Sequence, residues 1–509
     1  MMAAVICLGG RAAAAAAASS RSACAFASSG PRRLQRRRSG AFAPRPLYSS
    51  SVSKSNEEED GGGGEGGGAE RLRDNYSSLL SDGSSVAVVG GGLAGLSAAH
   101  HLLRKAAERD MGLKVTVFDR EDGPGVGGAS SVAGGLLHPF SPRGTLLHNG
   151  SRALASSNVL LERSLLHRPD AVLRNRLYRV ALTEKNAVQL RTTAEKYPQW
   201  AKWLDPQDVE GRTGARNTLG GLELGGGCRV IHVPTYLRGL WEDCVDTADM
   251  SERDSEARWV HVPHSNEGEG EGAADGIAWR ERLAEYDAAI LSAGSGLFRD
   301  CVLPPAPPEE GMEEGDDSWT GLPVDLVRGQ SVELSVRPDD GDDDGDDGDG
   351  DGGGDPTPSE AVLCGKYVAP LPDRDAILIG ATHEFQSEPL SPQLVADDLR
   401  ARTSDLAPGP WSDGEVRAVT EGYRVQSRRG PRGRLPIAGR APVEVRESVH
   451  ENSWLFTGLS SRGLIYHGVY GDALTDLMMG MCDEGGEEGE NPTPEGFPDL
   501  YWWMRGGSK

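Results

Sequence analysis

Residues 84–121 of the chain read SSVAVVGGGLAGLSAAHHLLRKAAERDMGLKVTVFDRE. An apolar strand, Val86 to Val89, enters a glycine-rich turn, apolar residues at helical spacing follow, and a second strand ends at Asp119. Glycines at 90, 92 and 95 allow a tight turn, a close backbone approach to a pyrophosphate and close packing of helix on strand. The spacing predicts a dinucleotide cradle, in which Asp119 accepts the ribose hydroxyls of an adenosine half. The predicted cofactor contacts here are Gly90, Gly92, Leu93, Ala94 and Gly95.

This motif does not separate FAD from NAD, because both contain adenosine diphosphate. The segment that follows, GPGVGGASSVAGGLLHPFSPRG at Gly123 to Gly144, is a long glycine-rich loop. A nicotinamide dehydrogenase would usually proceed to its next crossover at this point. A loop of this kind suits a backbone that wraps an extended cofactor, which favours FAD.

The loop resembles the GASxxxxG segment of the D-amino acid oxidase and glycine oxidase superfamily of FAD enzymes. The residues at the matching positions, and so the cofactor contacts implied, are Gly128, Ala129, Ser130 and Gly135. Later segments resemble that superfamily in the same order: Cys228 to Cys244 as a strand-to-helix element, Tyr286 to Gly296 as a strand ending at the cofactor with Ala293 and Gly294, Leu322 to Leu334 with an Arg328-Gly329-Gln330 turn, and Tyr367 to Thr382 as a strand pair. The resemblance implies an α/β fold with a Rossmann-like FAD-binding domain built from discontinuous segments, plus an α+β substrate domain with a mixed or antiparallel sheet.

The last match is WLFTGLSSRGLIYHGVYGDALTDLM, Trp454 to Met478. In the superfamily a final strand ends in a glycine-rich turn, and the next helix points its N-terminus at the flavin. The resemblance assigns Gly458, Ser461, Gly463 and Leu464 to the cofactor. Backbone N–H groups and about half an elementary charge at the helix end would stabilise negative charge on the flavin, and Arg462 adds a full charge. The alternative for Arg462 is a surface arginine in a turn.

A carboxylate clamp is the second catalytic feature. The segment EGYRVQSRRGPRGRLPIAG places Arg424 on the arginine that holds the substrate carboxylate in glycine and D-amino acid oxidases, and the alternative is a salt bridge to a neighbouring acid. Unlike the family pattern, an arginine-rich loop with Arg428, Arg429, Arg432 and Arg434 follows. Family members that attach FAD covalently use a cysteine nearby, and none is present, so the expected FAD is noncovalent.

Composition suggests the organisation of the rest. The net charge of −24 arises largely from three glycine-rich runs at 309–317, 339–355 and 483–490, which carry six, ten and five acidic residues and leave the remainder at −3. The first acid is Glu57, after an arginine-rich and alanine-rich start typical of an organellar transit peptide. The predicted domains are 1–55 transit peptide, 56–83 flexible linker, 84–165, 228–300 and 413–482 FAD-binding domain, 166–227 and 322–412 substrate domain with a disordered acidic insert at 338–358, 301–321 acidic loop and 483–509 acidic tail.

The function expected from the resemblance is FAD-dependent oxidation of a C–N bond in an amino acid or N-substituted glycine. GASSVAGGLLHPF and TGLSSRGL most resemble the FAD domain of the bacterial bifunctional tRNA wobble-uridine modification enzymes, so demodification of carboxymethylaminomethyl-uridine in organellar tRNA is one alternative. A noncatalytic flavoprotein assembly factor is another. No apolar run is long enough to span a membrane, and the scattered cysteines suggest no metal site. The serine-rich start favours a plastid over a mitochondrion.

Overall fold

The computed structural model describes most of the chain between residues 79 and 504. The described residues are 79–263, 281–299, 302–303, 321–336, 360–373, 375–386, 388–481, 494, 496–497 and 500–504. The predicted transit peptide, the acidic insert and most of the predicted linker, acidic loop and acidic tail lie outside them. No helix within these ranges combines the length and the apolarity that a membrane crossing requires.

Strands and helices are numbered along the chain. The strands are β1 Ser85–Val89, β2 Lys114–Asp119, β3 Leu136–Leu137, β4 Val172–Arg174, β5 Leu177–Val180, β6 Ala201–Leu204, β7 Gly221–Leu224, β8 Arg229–Ile231, β9 Glu256–His261, β10 Ala288–Leu291, β11 Val324–Ser335, β12 Val362–Cys364, β13 Lys366–Pro370, β14 Ala376–Gly380, β15 Val416–Ser427, β16 Ile437–Arg440 and β17 Ser453–Thr457. The helices are α1 Leu93–Glu108, α2 Gly128–Ser131, α3 Gly150–Leu165, α4 Glu184–Lys196, α5 Pro206–Thr213, α6 Val233–Asp249, α7 Gly296–Arg299, α8 Pro392–Thr403, α9 Pro408–Asp413, α10 Val443–Ser448 and α11 Gly463–Met478.

The first sheet has six strands in the order β16-β17-β10-β1-β2-β9. Strand β1 runs parallel to both β2 and β10, and β10 runs parallel to β17. Residues Val86 to Val89 are at most 1% exposed, as expected for a parallel strand covered on both faces. Because parallel strands end at one edge of the sheet, the segments after β1, β2, β10 and β17 meet there, at the carboxyl edge where such sheets bind ligands. The predicted cofactor residues are concentrated in those segments.

The second sheet has eight strands in the order β15-β11-β14-β13-β12-β5-β7-β6, and a small third sheet joins β3, β8 and β4. Strands β11 and β15 form a long antiparallel pair from Val324, opposite Ser427, to Leu334, opposite Val416. Helix α8 covers this sheet, and its Val395 and Leu399 pack in a core with Val332 and other buried residues of the sheet. The Rossmann-like sheet and the separate mixed sheet agree with the predicted fold class.

Two sequence predictions require correction. Residues 413–482 were assigned to the cofactor domain, but β15 lies in the eight-stranded sheet, so the boundary moves beyond Ser427. The predicted turn at Arg328-Gly329-Gln330 lies instead in the middle of β11, where Gly329 is paired with Gly422 across the sheet. The turn was implied by the family resemblance; here Gly329 makes room for a side chain of the neighbouring strand.

Candidate functional site

The turn after β1 brings three backbone segments into close contact. Gly90 has a φ of +100°, and a Cβ on it would lie 2.6 Å from the backbone nitrogen of Ala293, just after β10. A Cβ on Gly95 would overlap the carbonyl oxygen of Gly90 and lie 2.8 Å from Ser292 Oγ. Glycine is therefore required at both positions, for the turn and for the packing of α1 against β1.

Asp119, at the end of β2, supports this turn. Its Oδ2 accepts a hydrogen bond from the Gly91 N–H at 2.5 Å, and its Oδ1 accepts one from the Glu121 N–H at 2.9 Å. Each carboxylate oxygen has a further lone pair, so the group can still accept from two hydroxyls. The indole of Trp259 lies against Gly91, where a Cβ would come within 2.7 Å of its ring carbon Cζ3. Asp119 thus lies at the end of β2 beside the glycine turn, and its contact with a ribose stays a prediction.

The short helix α2 brings the predicted GASxxxxG segment to the start of α1. Ser130 Oγ accepts a hydrogen bond from the Leu93 N–H at 3.3 Å, and a Cβ on Gly92 would meet only that hydroxyl, at 3.0 Å. Ala129 lies against β15, since a Cβ on Gly422 would be 3.0 Å from its Cα. Two distant predicted motifs therefore form one surface.

Three further predicted residues border the same region. Gly135 has a φ of +70°, its carbonyl accepts the Ile231 N–H at 2.9 Å, and a Cβ there would overlap the Ile231 carbonyl. Gly294 has a φ of +57°, and no atom lies within 4 Å of the position of its Cβ. Ala94 is buried in the first turn of α1. The loops after β10 and before β3 thus depend on glycine for their backbone conformation.

The start of α11 meets the start of α1. Gly458 follows β17 with a φ of +68°, and a Cβ on Gly463 would lie 3.1 Å from the Leu93 side chain. The buried Ser97 hydroxyl donates to the His467 carbonyl at 2.7 Å and holds the two helices side by side. Residues more than 360 positions apart in sequence therefore converge at one edge of the sheet.

Neither helix N-terminus at this edge is capped by its own N-cap residue. The N-cap residues Gly92 and Arg462 make no side-chain capping hydrogen bond, and the first turns of α1 and α11 contain no acidic residue. The positive ends of two helix dipoles favour an anionic or polar group at this place. Ser461 and Leu464, both predicted cofactor residues, flank the second of these N-termini.

Arg462 lies in the wall of a cavity of about 200 Å³. It is half-buried, and its Nη1 donates to the Arg434 carbonyl at 3.1 Å, which fixes the side chain across the arginine-rich loop. The sequence left open whether Arg462 is a surface residue, and its place in this wall favours the functional alternative. Other residues of the wall are Leu136, His138, Arg179, Lys366 and Tyr367.

Arg424 lies beside this cavity rather than in its wall. Its guanidinium lies over Gly329, where a Cβ would be 2.5 Å from Arg424 Cζ, and its Nη1 is 3.5 Å from the Thr382 carbonyl. Burial lowers the pKa of Arg424, and its charge partly offsets the burial that raises the pKa of Tyr367, which does line the cavity. No ion pair joins Arg424 to any carboxylate that the structure describes, so the predicted alternative of a salt bridge is not what holds it.

Arg179 and Lys366 line the cavity and were missed by the sequence analysis. Arg179 is 6% exposed, and its Nη1 donates to the Ser141 carbonyl. Lys366 Nζ donates to the Ala381 carbonyl, and burial lowers its pKa. The sequence feature that could have pointed to Arg179 is its place inside the apolar strand Leu177–Val180, because the buried interior of a strand seldom contains an unpaired charge.

Two neutral groups complete the wall. Burial raises the pKa of Tyr367, whose hydroxyl lies 3.2 Å from Ser331 Oγ. Burial, with the charges of Arg179 and Arg462, lowers the pKa of His138 well below its usual value. Near pH 7 neither side chain carries charge, so the ionised groups described in this wall are cations. Among the described residues there is no cluster of His, Cys, Asp and Glu suited to a metal ion.

The sequence pattern of one protein family, described as DAO, FAD dependent oxidoreductase, matches residues 85–477. The chain belongs to this family. Among solved structures, glycine oxidase from Geobacillus kaustophilus is 19% identical with a TM-score of 0.53, over 79% of this chain and 97% of that one. Iminodiacetate oxidase from Chelativorans sp. BNC1 is 18% identical with a TM-score of 0.54, over 80% of this chain and 99% of that one. These likenesses show the fold, and a comparison with curated proteins found no match.

This FAD-dependent oxidoreductase has residues that fit its cofactor. The fit rests on the glycine-only approaches at Gly90 and Gly95, on the remaining acceptor capacity of Asp119, and on two helix N-termini at one sheet edge whose first turns contain no acidic residue. The turn after β1 and Asp119 would hold the adenosine diphosphate half. Residues 458–464 would hold the flavin end, where the α11 N-terminus and Arg462 supply positive charge. The predicted superfamily, fold and cofactor are confirmed by the family match.

Proposed function

We propose that the oxidoreductase oxidises the C–N bond of an amine that carries a carboxylate on the adjacent carbon. When bound, FAD supplies the two-electron oxidant for such a reaction. The observation that carries the proposal is Arg424, a largely buried guanidinium beside the cavity with no carboxylate partner among the described residues. The named oxidases of similar fold, on glycine and iminodiacetate, are in keeping with it.

The chemical reason lies in the cost of burying a charge. A buried cation without a counter-ion is unfavourable, and a substrate carboxylate would offset that cost. The planar fork of arginine binds both oxygens of a carboxylate in one fixed orientation, which would orient the adjacent carbon. Gly329 leaves the space in which the guanidinium lies.

Arg462 would act at the other side of the bound substrate. It stands at the N-terminus of α11, so its charge adds to that of the helix end where the flavin would accept negative charge. Tyr367 and His138 stay neutral near pH 7, so neither is assigned the role of a charged acid or base. An amine that binds in its neutral form needs no such base, and the protein contributes orientation and exclusion of water.

The test is anaerobic reduction of the protein-bound flavin, followed by its absorbance. Glycine, sarcosine, proline and D-amino acids are added in turn to the wild type and to Arg424→Met, with Arg143→Met as the matched control because Arg143 is exposed. We expect at least one amine to bleach the flavin of the wild type and the control, and Arg424→Met to need a concentration about 10- to 100-fold higher. Bound flavin that no amine reduces would contradict the proposal and favour a noncatalytic role.

A second candidate function is oxidative demodification of carboxymethylaminomethyl-uridine in tRNA. One observation favours it: the arginine-rich loop is tied to the cavity wall, because the Arg434 carbonyl accepts from Arg462. In this loop Arg428 and Arg429 are exposed and free to approach phosphates. Substrate tRNA should then bind with an affinity that falls steeply with salt, and Arg428→Gln with Arg429→Gln should reduce that slope by about two. An unchanged slope would exclude this loop as the contact.

For localisation, we propose a plastid, on the arginine-rich and serine-rich composition of residues 1–55. A fluorescent protein fused behind residues 1–70 should enter plastids in plant cells. Entry into mitochondria instead would contradict the plastid proposal and favour a mitochondrial location.

A further inference from the structure

Arg179 is a buried arginine in the cavity wall whose hydrogen-bond donors are incompletely used. Arg179 lies in β5 opposite Leu363 of β12, and it is 6% exposed. Its Nη1 donates to the Ser141 carbonyl, while its buried Nε has no hydrogen-bond acceptor. It forms no ion pair with a carboxylate in the described part of the chain. Burial lowers its pKa to about 10, so the side chain is still a cation near neutral pH.

The neighbour of Arg179 is His138, and its tautomer follows from its contacts. The Phe140 N–H donates to His138 Nδ1 at 3.2 Å, so Nδ1 has no proton. Because burial and two nearby arginines keep this histidine neutral, its single proton is on Nε2. That nitrogen lies 3.4 Å from Arg179 Nη2, which is also a donor. Two N–H groups therefore stand side by side, and neither can accept from the other.

We propose that Arg179 Nη2 and His138 Nε2 form a second carboxylate-binding site in the cavity, so that the substrate is an amine with two carboxylates. This inference rests on the proposed function and names its substrate class. One carboxylate, adjacent to the oxidised C–N bond, belongs to Arg424. The other accepts from the paired N–H groups of Arg179 and His138, as a carboxylate can with its two oxygens.

The charge of the wall supports a dianion. Arg179, Lys366 and Arg462 are cationic, and no acidic residue lies among the described residues of the wall. A substrate with one carboxylate and a neutral amine carries a single negative charge, which Arg424 alone would offset, and would leave these three cations uncompensated. A second carboxylate adds a second negative charge beside the buried Arg179, where it interacts more strongly than in bulk solvent. Dicarboxylic amines therefore match the wall better than simple amino acids do.

The test uses binding rather than turnover, with two carboxylates that contain no amine. Thiodiacetate has two carboxylates around a sulfur, and methylthioacetate has one carboxylate and a methyl group on the same frame. Their dissociation constants are measured by calorimetry on the flavin-bound full-length protein. The variants are Arg179→Met, Arg179→Lys and His138→Phe, with Arg143→Met as the control for loss of an exposed charge close in sequence to the wall.

The wild type and Arg143→Met should bind thiodiacetate about 10- to 100-fold more tightly than methylthioacetate. Arg179→Met should abolish this preference for thiodiacetate without changing the affinity for methylthioacetate. His138→Phe should reduce the preference. Arg179→Lys, which keeps the charge but not the fork, should retain part of it. Equal binding of both ligands by the wild type would overturn the proposal, even if Arg179→Met failed to fold. Because no turnover is needed, this outcome is distinct from a failure of amine oxidation, which flavin bleaching alone measures.

Discussion

The placement of Arg424 over Gly329 allows the proposed carboxylate-binding role of Arg424 to be perturbed without removal of its charge. In Gly329→Ala the new Cβ would lie 2.5 Å from Arg424 Cζ, whereas ordinary contacts of a Cβ begin near 3.4 Å. The guanidinium must therefore move by about 1 Å, enough to break one of two parallel hydrogen bonds to a carboxylate. A hydrogen bond to a charged group contributes about 1.5–3 kcal/mol, so affinity for the carboxylate should fall about 10- to 150-fold.

A double-mutant cycle separates this effect from a general disturbance of β11. Methylthioacetate binding is measured by calorimetry for the wild type, Gly329→Ala, Arg424→Met and the double variant. Since the methionine makes no ionic bond to the ligand, Gly329→Ala should change affinity less than about 2-fold in that background. Gly225→Ala, where a Cβ meets no atom within 4 Å, is the matched control. An equal loss of affinity in both backgrounds would show that Gly329 does not act through Arg424.

Three further predictions concern the cofactor and stability. Gly95→Ala should purify without flavin or unfolded, because its Cβ overlaps the Gly90 carbonyl. The control Gly123→Ala should keep a normal ratio of flavin to protein absorbance, since a Cβ there meets no atom within 4 Å. Full flavin content in Gly95→Ala would contradict the assignment of this turn to cofactor binding. Acid precipitation should release all flavin into the supernatant, and a yellow pellet would exclude noncovalent binding. Burial lowers the pKa of His467 to about 4, so the folded form resists protonation while the unfolded chain takes up a proton as the pH falls below about 6.5. Between about pH 7.5 and about pH 5.5, this histidine should therefore lower the unfolding free energy of the wild type by about 1.3 kcal/mol, as measured by urea titration. His467→Gln should not show this loss, and its side-chain oxygen can still accept from the Tyr236 hydroxyl. An equal pH dependence in His467→Gln would refute that assignment.

The sequence was most informative where backbone geometry permits one residue type. Gly90, Gly95 and Asp119 lie where the β-α-β spacing predicted, since the turn, the helix packing and the strand end leave little choice. The assignment of Leu93 and Gly463 to one cofactor site followed only from the family resemblance for Gly463, because no local pattern brings together two segments that lie so far apart in the chain.

Predictions failed where tertiary pairing overrides local signals. The family resemblance implied a turn at Gly329, but Gly329 pairs with β15, and the guanidinium of Arg424 occupies the space that a side chain at this position would take. Arg179 was overlooked because sequence alone does not tell a buried strand arginine from one at a sheet edge. Its role appears only when β5 and β12 are paired and the Phe140 N–H fixes the tautomer of His138.

The proposed activity depends on recognition of a carboxylate next to the C–N bond that the oxidoreductase oxidises. The most direct measurement is anaerobic flavin reduction by the amino acid that bleaches fastest and by its primary amide, in which the carboxylate becomes a neutral group of nearly the same shape. The amide should need a concentration about 10- to 100-fold higher or fail to bleach the flavin, and Arg424→Met should abolish the difference between acid and amide. Equal bleaching of the wild-type flavin by the acid and the amide would contradict recognition of the carboxylate.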